Sequence, residues 1–152
     1  MERKGEAAGV LVLDSYAHHP TELAADLRAA RGIRDGQVIA VFQPHLFSRT
    51  RIFAGEFGAA LGLADQVFVL DVYAAREDPE PGVPGELVAS AVPGGRAVFA
   101  SGRDGAPGRD GLPAAVAETA RPGDLVLTMG AGDVTMLGPQ IVAALAARAG
   151  GN

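Results

Sequence analysis

Four short apolar runs limit what this chain can fold into. They are Val10–Leu13, Val38–Phe42, Val67–Leu70 and Leu125–Thr128. Each is too short for a buried helix and is bounded by polar residues or glycine, so each reads as a buried strand. The segments between them carry helical spacing. Thr21–Arg31 repeats Leu23, Leu27 and Ala30, with Pro20 tolerated in a first turn, Glu22 near the start and arginines at the far end. Thr50–Leu61 places Phe53, Phe57, Ala60 and Leu61 on one face. Glu86–Ala91, Leu112–Ala120 and Val134–Ala149 read as further helices, Gln66–Val72 as the full extent of the third strand, and Arg96–Ala100 as a further strand.

Strands alternating with helices imply a three-layer, Rossmann-like α/β domain with a mostly parallel sheet. Gly5 and Gly9 bracket Glu6-Ala7-Ala8 before the first apolar run, which predicts a hairpin and an antiparallel edge. So abrupt an opening suggests a domain cut from a longer protein. Pro79, Pro81 and Pro84 keep Tyr73–Pro84 out of a helix. Gly102–Pro113 repeats Gly-Arg-Asp-Gly around Ala-Pro and reads as a flexible surface loop without a part in the chemistry.

In a parallel sheet, the turns that follow the strands share one edge, where α/β proteins bind ligands. Three such turns are rich in polar groups. Asp14-Ser-Tyr-Ala-His-His-Pro20 holds an acid that can accept from ribose hydroxyls, a phenol that can stack, and two imidazoles. His18 and His19 are open to use as ligands, acid–base groups or a helix cap. A zinc site of His18, His19 and His45 is disfavoured, because adjacent histidines point in different directions. Gln43–Arg51 supplies His45, Arg49 and Arg51, three potential cations for a carboxylate or phosphate, or else a solvated basic turn. Met129–Thr135 contains Gly130-Ala131-Gly132. Thr135 stands where a dinucleotide fingerprint needs its third glycine, so this is an anion-favouring helix start or simply a tight turn, with Asp133 as cap or first-turn acid.

Other classes are excluded. Lys4 is the only lysine, so there is no Gly-x-x-x-x-Gly-Lys phosphate loop, and no Gly-x-Ser-x-Gly elbow is present. The chain alone assembles neither a phosphoryl-transfer centre nor a hydrolase triad. A net charge of −5 argues against non-specific nucleic-acid binding. The absence of cysteine removes disulfides and thiolate metal sites and fits a reducing cytoplasm. No apolar run approaches a membrane span, and no charged n-region followed by an apolar h-region stands at Met1, so no signal peptide is expected there.

The motifs Gly5-Glu-Ala-Ala-Gly9, Asp14–Glu22, Phe42-Gln-Pro-His45, Ser48-Arg-Thr-Arg51, Leu70-Asp-Val-Tyr-Ala74 and Leu127–Asp133, in this order, resemble the C-terminal domain of the Mur ligases. The resemblance spans nearly the whole chain. It implies a three-domain, ATP- and Mg2+-dependent ligase of peptidoglycan precursor synthesis. The first domain would hold the UDP-sugar and the central one most of the ATP and metal. The last domain, this one, would bring the incoming amino acid and be inactive alone. Gln43-Pro-His45 with Arg49 resembles the branch that joins L-alanine to the muramoyl carboxylate of UDP-N-acetylmuramate through an acyl phosphate. A muropeptide-recycling ligase is the alternative within the family, and a standalone nucleotide-binding module the alternative outside it. Carried over residue by residue, the resemblance puts Tyr16, His18, His45 and Arg49 near the amino acid, with Arg51 sharing its carboxylate. It places Asp14 at the nucleotide and Gly130, Ala131, Gly132 and Asp133 along the cleft. Ser15 and Leu46 depart from the family pattern, where a second acid and an arginine are common.

Overall fold

The computed structural model describes residues 1–150. Six strands form one sheet: β1 (Glu2–Ala7), β2 (Val10–Ser15), β3 (Val38–Phe42), β4 (Gln66–Val69), β5 (Ala97–Phe99) and β6 (Leu125–Met129). Their spatial order is β1-β2-β6-β3-β4-β5. The β1–β2 hairpin is antiparallel and every other pairing is parallel, as the sequence predicts. The helices are α1 (Pro20–Arg31), α2 (Phe47–Leu61), α3 (Glu86–Ala91), α4 (Leu112–Thr119) and α5 (Leu137–Gly150).

Two apolar layers sandwich the sheet. On one face Leu23 and Leu27 of α1 and Phe57 and Leu61 of α2 cover Leu13, Ala40, Phe42 and Leu127. On the other, Leu112 and Val116 of α4 and Ile141 and Leu145 of α5 cover Val12, Ile39, Val41 and Val126. The central strands β3 and β6 are buried along their whole length, which is why they read as unbroken apolar runs rather than alternating ones.

Several boundaries differ from the sequence expectation by two residues or more. Helix α2 starts at Phe47, not Thr50, because Glu77 arrives from the Tyr73–Pro84 loop and accepts from Ser48 N (3.2 Å) and Ser48 Oγ (2.5 Å). Its own cap residue, Leu46, offers no side-chain bond and sits at φ 72°. Strand β4 stops at Val69 rather than Val72, and Asp71 Oδ1 then accepts from Val72 N (2.8 Å) and Gly85 N (2.9 Å), which turns the chain. The closing helix is split into a 3-10 turn, Asp133–Met136, and α5. Pro139 has no N–H to donate and its ring would clash with the carbonyl of Thr135, so an α-helix can start only just before it. Finally, the irregular part of the Gly102–Pro113 stretch ends at Gly111, since Leu112 and Pro113 are buried in the first turn of α4.

Candidate functional site at the carboxyl edge of the sheet

Because β6 lies between β2 and β3, the three polar turns are neighbours. Backbone bonds stitch them: Gly130 N donates to Ser15 O (3.1 Å) and Gln43 N to Met129 O (3.0 Å). Leu70 N donates to Phe42 O (2.9 Å), which brings the loop after β4 alongside.

Asp14 stands at the end of β2. Thr128 Oγ1 donates to its Oδ1 (2.5 Å) and Thr135 Oγ1 to its Oδ2 (2.9 Å), so the carboxylate is oriented by two hydroxyls. It borders a cleft of about 490 Å³ lined also by Glu2, Tyr16, Gly130, Gly132 and Thr135. Tyr16 is 70% exposed there, unusual for a large aromatic side chain and suited to a ligand face. The hydroxyl of Ser15 points the other way. It donates to Asp26 of α1 and accepts from Ala17 N (3.0 Å), so it serves the turn.

The two histidines separate. His19 caps α1: its Nδ1 accepts from Thr21 N (3.3 Å), while Glu22 Oε1 accepts from His19 N (3.1 Å) and His18 N (3.2 Å). Its ring packs on Phe53 at 5.1 Å. His18 instead joins a ladder of rings along the edge. Tyr16 meets His18 at 5.6 Å, His18 meets His45 at 6.3 Å, and His45 stacks on Tyr73 at 5.8 Å. No three His, Asp or Glu residues among those described are placed to hold a metal ion.

His45 lies just before α2 and Arg49 in its first turn. Arg49 Nη1 donates to His45 Nδ1 (3.3 Å), which requires a neutral ring with its proton on Nε2. Burial, then the charges of Arg49 and His18, hold the imidazole pKa below its usual 6.5, against an opposing pull from Glu77. Glu77 itself is held below the usual carboxylate range, chiefly by the Ser48 hydroxyl. Arg51 does not join the cluster. It lies on the exposed side of α2, with Nε 2.9 Å from Glu80 Oε1.

Gln43 ties the second turn to the third. This side chain is 4% exposed. Its Nε2 donates to Asp133 Oδ1 (3.0 Å) and its Oε1 accepts from Val134 N (3.2 Å). The bond to Val134 occupies one of the backbone donors that the sequence reading offered to an anion. Gly132 must be glycine: a Cβ there would lie 2.6 Å from Tyr73 Cγ and 2.7 Å from Gln43 Oε1. One neighbour escaped the sequence reading. Arg109, from the segment taken as a plain surface loop, places Nη2 3.1 Å from Asp133 Oδ1 and donates to Asp133 O (3.2 Å). Nothing local in Gly-Arg-Asp-Gly announces that contact.

A family model described as "Mur ligase, glutamate ligase domain" matches residues 1–132. The chain belongs to the Mur ligase family. The Mur ligase domain is 57% identical over 153 residues to UDP-N-acetylmuramate–L-alanine ligase of Thermobifida fusca, covering 95% of this chain and 31% of that protein. It is 60% identical over 150 residues to the protein of the same name from Kineococcus radiotolerans, covering 97% and 31%. The domain thus spans about a third of the length of these relatives. Among solved structures it shares its fold with a murein peptide ligase of Psychrobacter arcticus (TM-score 0.72, 22% identity, 96% of this chain and 29% of that one). It also matches the Thermotoga maritima MurF ligase solved in complex with ADP (TM-score 0.66, 20% identity, 95% and 30%).

Proposed function

We propose that this chain is the C-terminal domain of a ligase that joins L-alanine to the muramoyl carboxylate of UDP-N-acetylmuramate, and that its edge cluster seats the alanine. The single observation that carries the reading is the convergence of Tyr16, His18, His45 and Arg49 on one edge, beside the Asp14 cleft. The 57% and 60% identities to alanine ligases support the substrate.

An amino acid is recognised most firmly through its carboxylate. Arg49 offers guanidinium donors beyond the one spent on His45, and the neutral His45 ring offers Nε2–H. Together they hold the carboxylate in one orientation and so aim the amine, which is a positioning contribution rather than acid–base chemistry. Tyr16 and His18 would line the approach to the reacting carboxylate. Arg51 is assigned no direct grip, since Glu80 holds it.

ATP, when bound, supplies the activation of the muramoyl carboxylate. The residues here fit one flank of a nucleotide at most: Asp14 and the cleft wall of Gly130–Asp133 can face it. They do not fit its phosphates, for which no lysine-bearing glycine loop exists, and no acidic cluster among the described residues would hold Mg2+. Both tasks fall to the other domains. Among the described residues, no helix is long and apolar enough to cross a membrane.

The test is phosphate release by the full-length protein. It should require ATP, UDP-N-acetylmuramate and L-alanine together, and residues 1–152 alone should release none. Full-length protein that turns over without alanine, or prefers a tripeptide to alanine, would refute the reading.

A further inference from the structure

We infer that Arg109 is a positioning residue for this site: it holds the turn after β6 in the one arrangement that presents Gly130 and Gly132 to the cleft. Asp133 Oδ1 receives two donors, Arg109 Nη2 at 3.1 Å and Gln43 Nε2 at 3.0 Å. Arg109 also donates to the Asp133 carbonyl (3.2 Å), and Gln43 Oε1 accepts from Val134 N (3.2 Å). Side chain and backbone of the turn are therefore clamped from both sides, by α4's leading segment and by the end of β3.

The turn needs such a clamp. Gly130 and Gly132 give it many accessible conformations, and neither can accept a side chain to restrict them, because any Cβ would collide with Gln43 or its neighbours. Its 3-10 continuation has no side-chain cap of its own. Arg109 is delivered from a fixed point. Leu112 N donates to Arg109 O (3.2 Å), and Leu112 is fully buried under α4. Upstream, Gly102 N donates to Pro107 O (3.2 Å) and Ala106 N to Arg103 O (2.9 Å), which folds the segment into a compact strap.

The pair is a poor stabiliser. The Arg109 and Asp133 side chains are 37% and 44% exposed, and ion pairs so exposed add little to global stability. Its use is local: to fix the wall against which the substrates are placed.

The kinetic part of the test rests on the proposed function, whereas the structural part does not. Arg109→Ala and Arg109→Lys would be made in the full-length protein. Hydrogen exchange across residues 129–136 should quicken about tenfold in Arg109→Ala, with β3 unchanged, and Lys should restore part of the protection. Turnover should fall about tenfold in Arg109→Ala while the melting temperature stays within about 2 °C. Unchanged exchange across the turn overturns the inference. So does faster exchange with normal turnover, or an activity loss that only tracks a lower melting temperature. If the wild-type protein shows no ligase activity, the functional reading fails, and the exchange result alone decides whether Arg109 holds the turn.

Discussion

Replacing Gln43 with methionine tests whether the site is built on a buried polar stitch. Methionine matches the length and keeps the packing, but removes both bonds. Val134, fully buried, then carries an N–H without a partner, which costs about 1–3 kcal/mol. The bond to the charged Asp133 contributes about 1.5–3 kcal/mol, of which Arg109 retains a part by continuing to face the same oxygen. Extra apolar burial returns about 1 kcal/mol. The net expectation is a loss of about 2–4 kcal/mol. At this chain length each kcal/mol moves the melting temperature by about 2–4 °C, so the midpoint should fall by about 5–15 °C. Thermal melts and urea titrations of the 152-residue domain would measure it, with an unchanged urea slope as the control for two-state behaviour. A fall of less than about 2 °C, with a cooperative transition in both proteins, would show that the Gln43 bonds are not made in solution.

Two further outcomes are expected. In the full-length enzyme, Arg49→Ala should raise the KM for L-alanine or lower turnover at least tenfold, about 1.4 kcal/mol, with Arg49→Lys recovering only part; normal alanine kinetics in a well-folded variant would remove Arg49 from the site. His45 should make stability pH-dependent: its folded pKa lies below 6.5, so the unfolded chain binds more protons in that window, and stability should fall as pH drops from above 6.5 through the folded value, then level. Urea titrations from pH 8 to pH 5 should show this slope, and His45→Gln should flatten it.

Much of this molecule is legible in its sequence because its strands are buried on both faces. Val38–Phe42 and Leu125–Met129 have no exposed side, so their apolar runs coincide with the strands almost residue for residue. Glycine and proline then mark the hairpin and the Tyr73–Pro84 loop. The polar turns could be assigned to one edge because parallel strands must end on the same side. What could not be read are the partners. Glu77 caps α2 from a loop far along the chain, which moves the helix start, and Glu80 of the same loop meets Arg51. Arg109 reaches Asp133 from a segment whose composition says only that it is loop. The roles of His18 and His19 part because one ring finds Phe53 and the other His45. Such contacts depend on which elements lie side by side, and spacing along the chain does not encode that.

The place of β6 has a consequence for how the domain is made. β2 and β3 do not pair with each other; each pairs with β6, the last of the six in chain order. Until Leu125–Met129 leaves the ribosome, two apolar strand edges stay open and the Asp14 and Gln43 turns have nothing between them. Open edges of this kind recruit other chains. A nascent chain halted after α4 would therefore own every residue of the His45–Arg49 pair and still have no assembled site, and it would be a ready substrate for chaperones. Insertion of β6 closes the sheet and aligns the three turns in a single event, so the edge assembles only after all six strands of this sheet have been made.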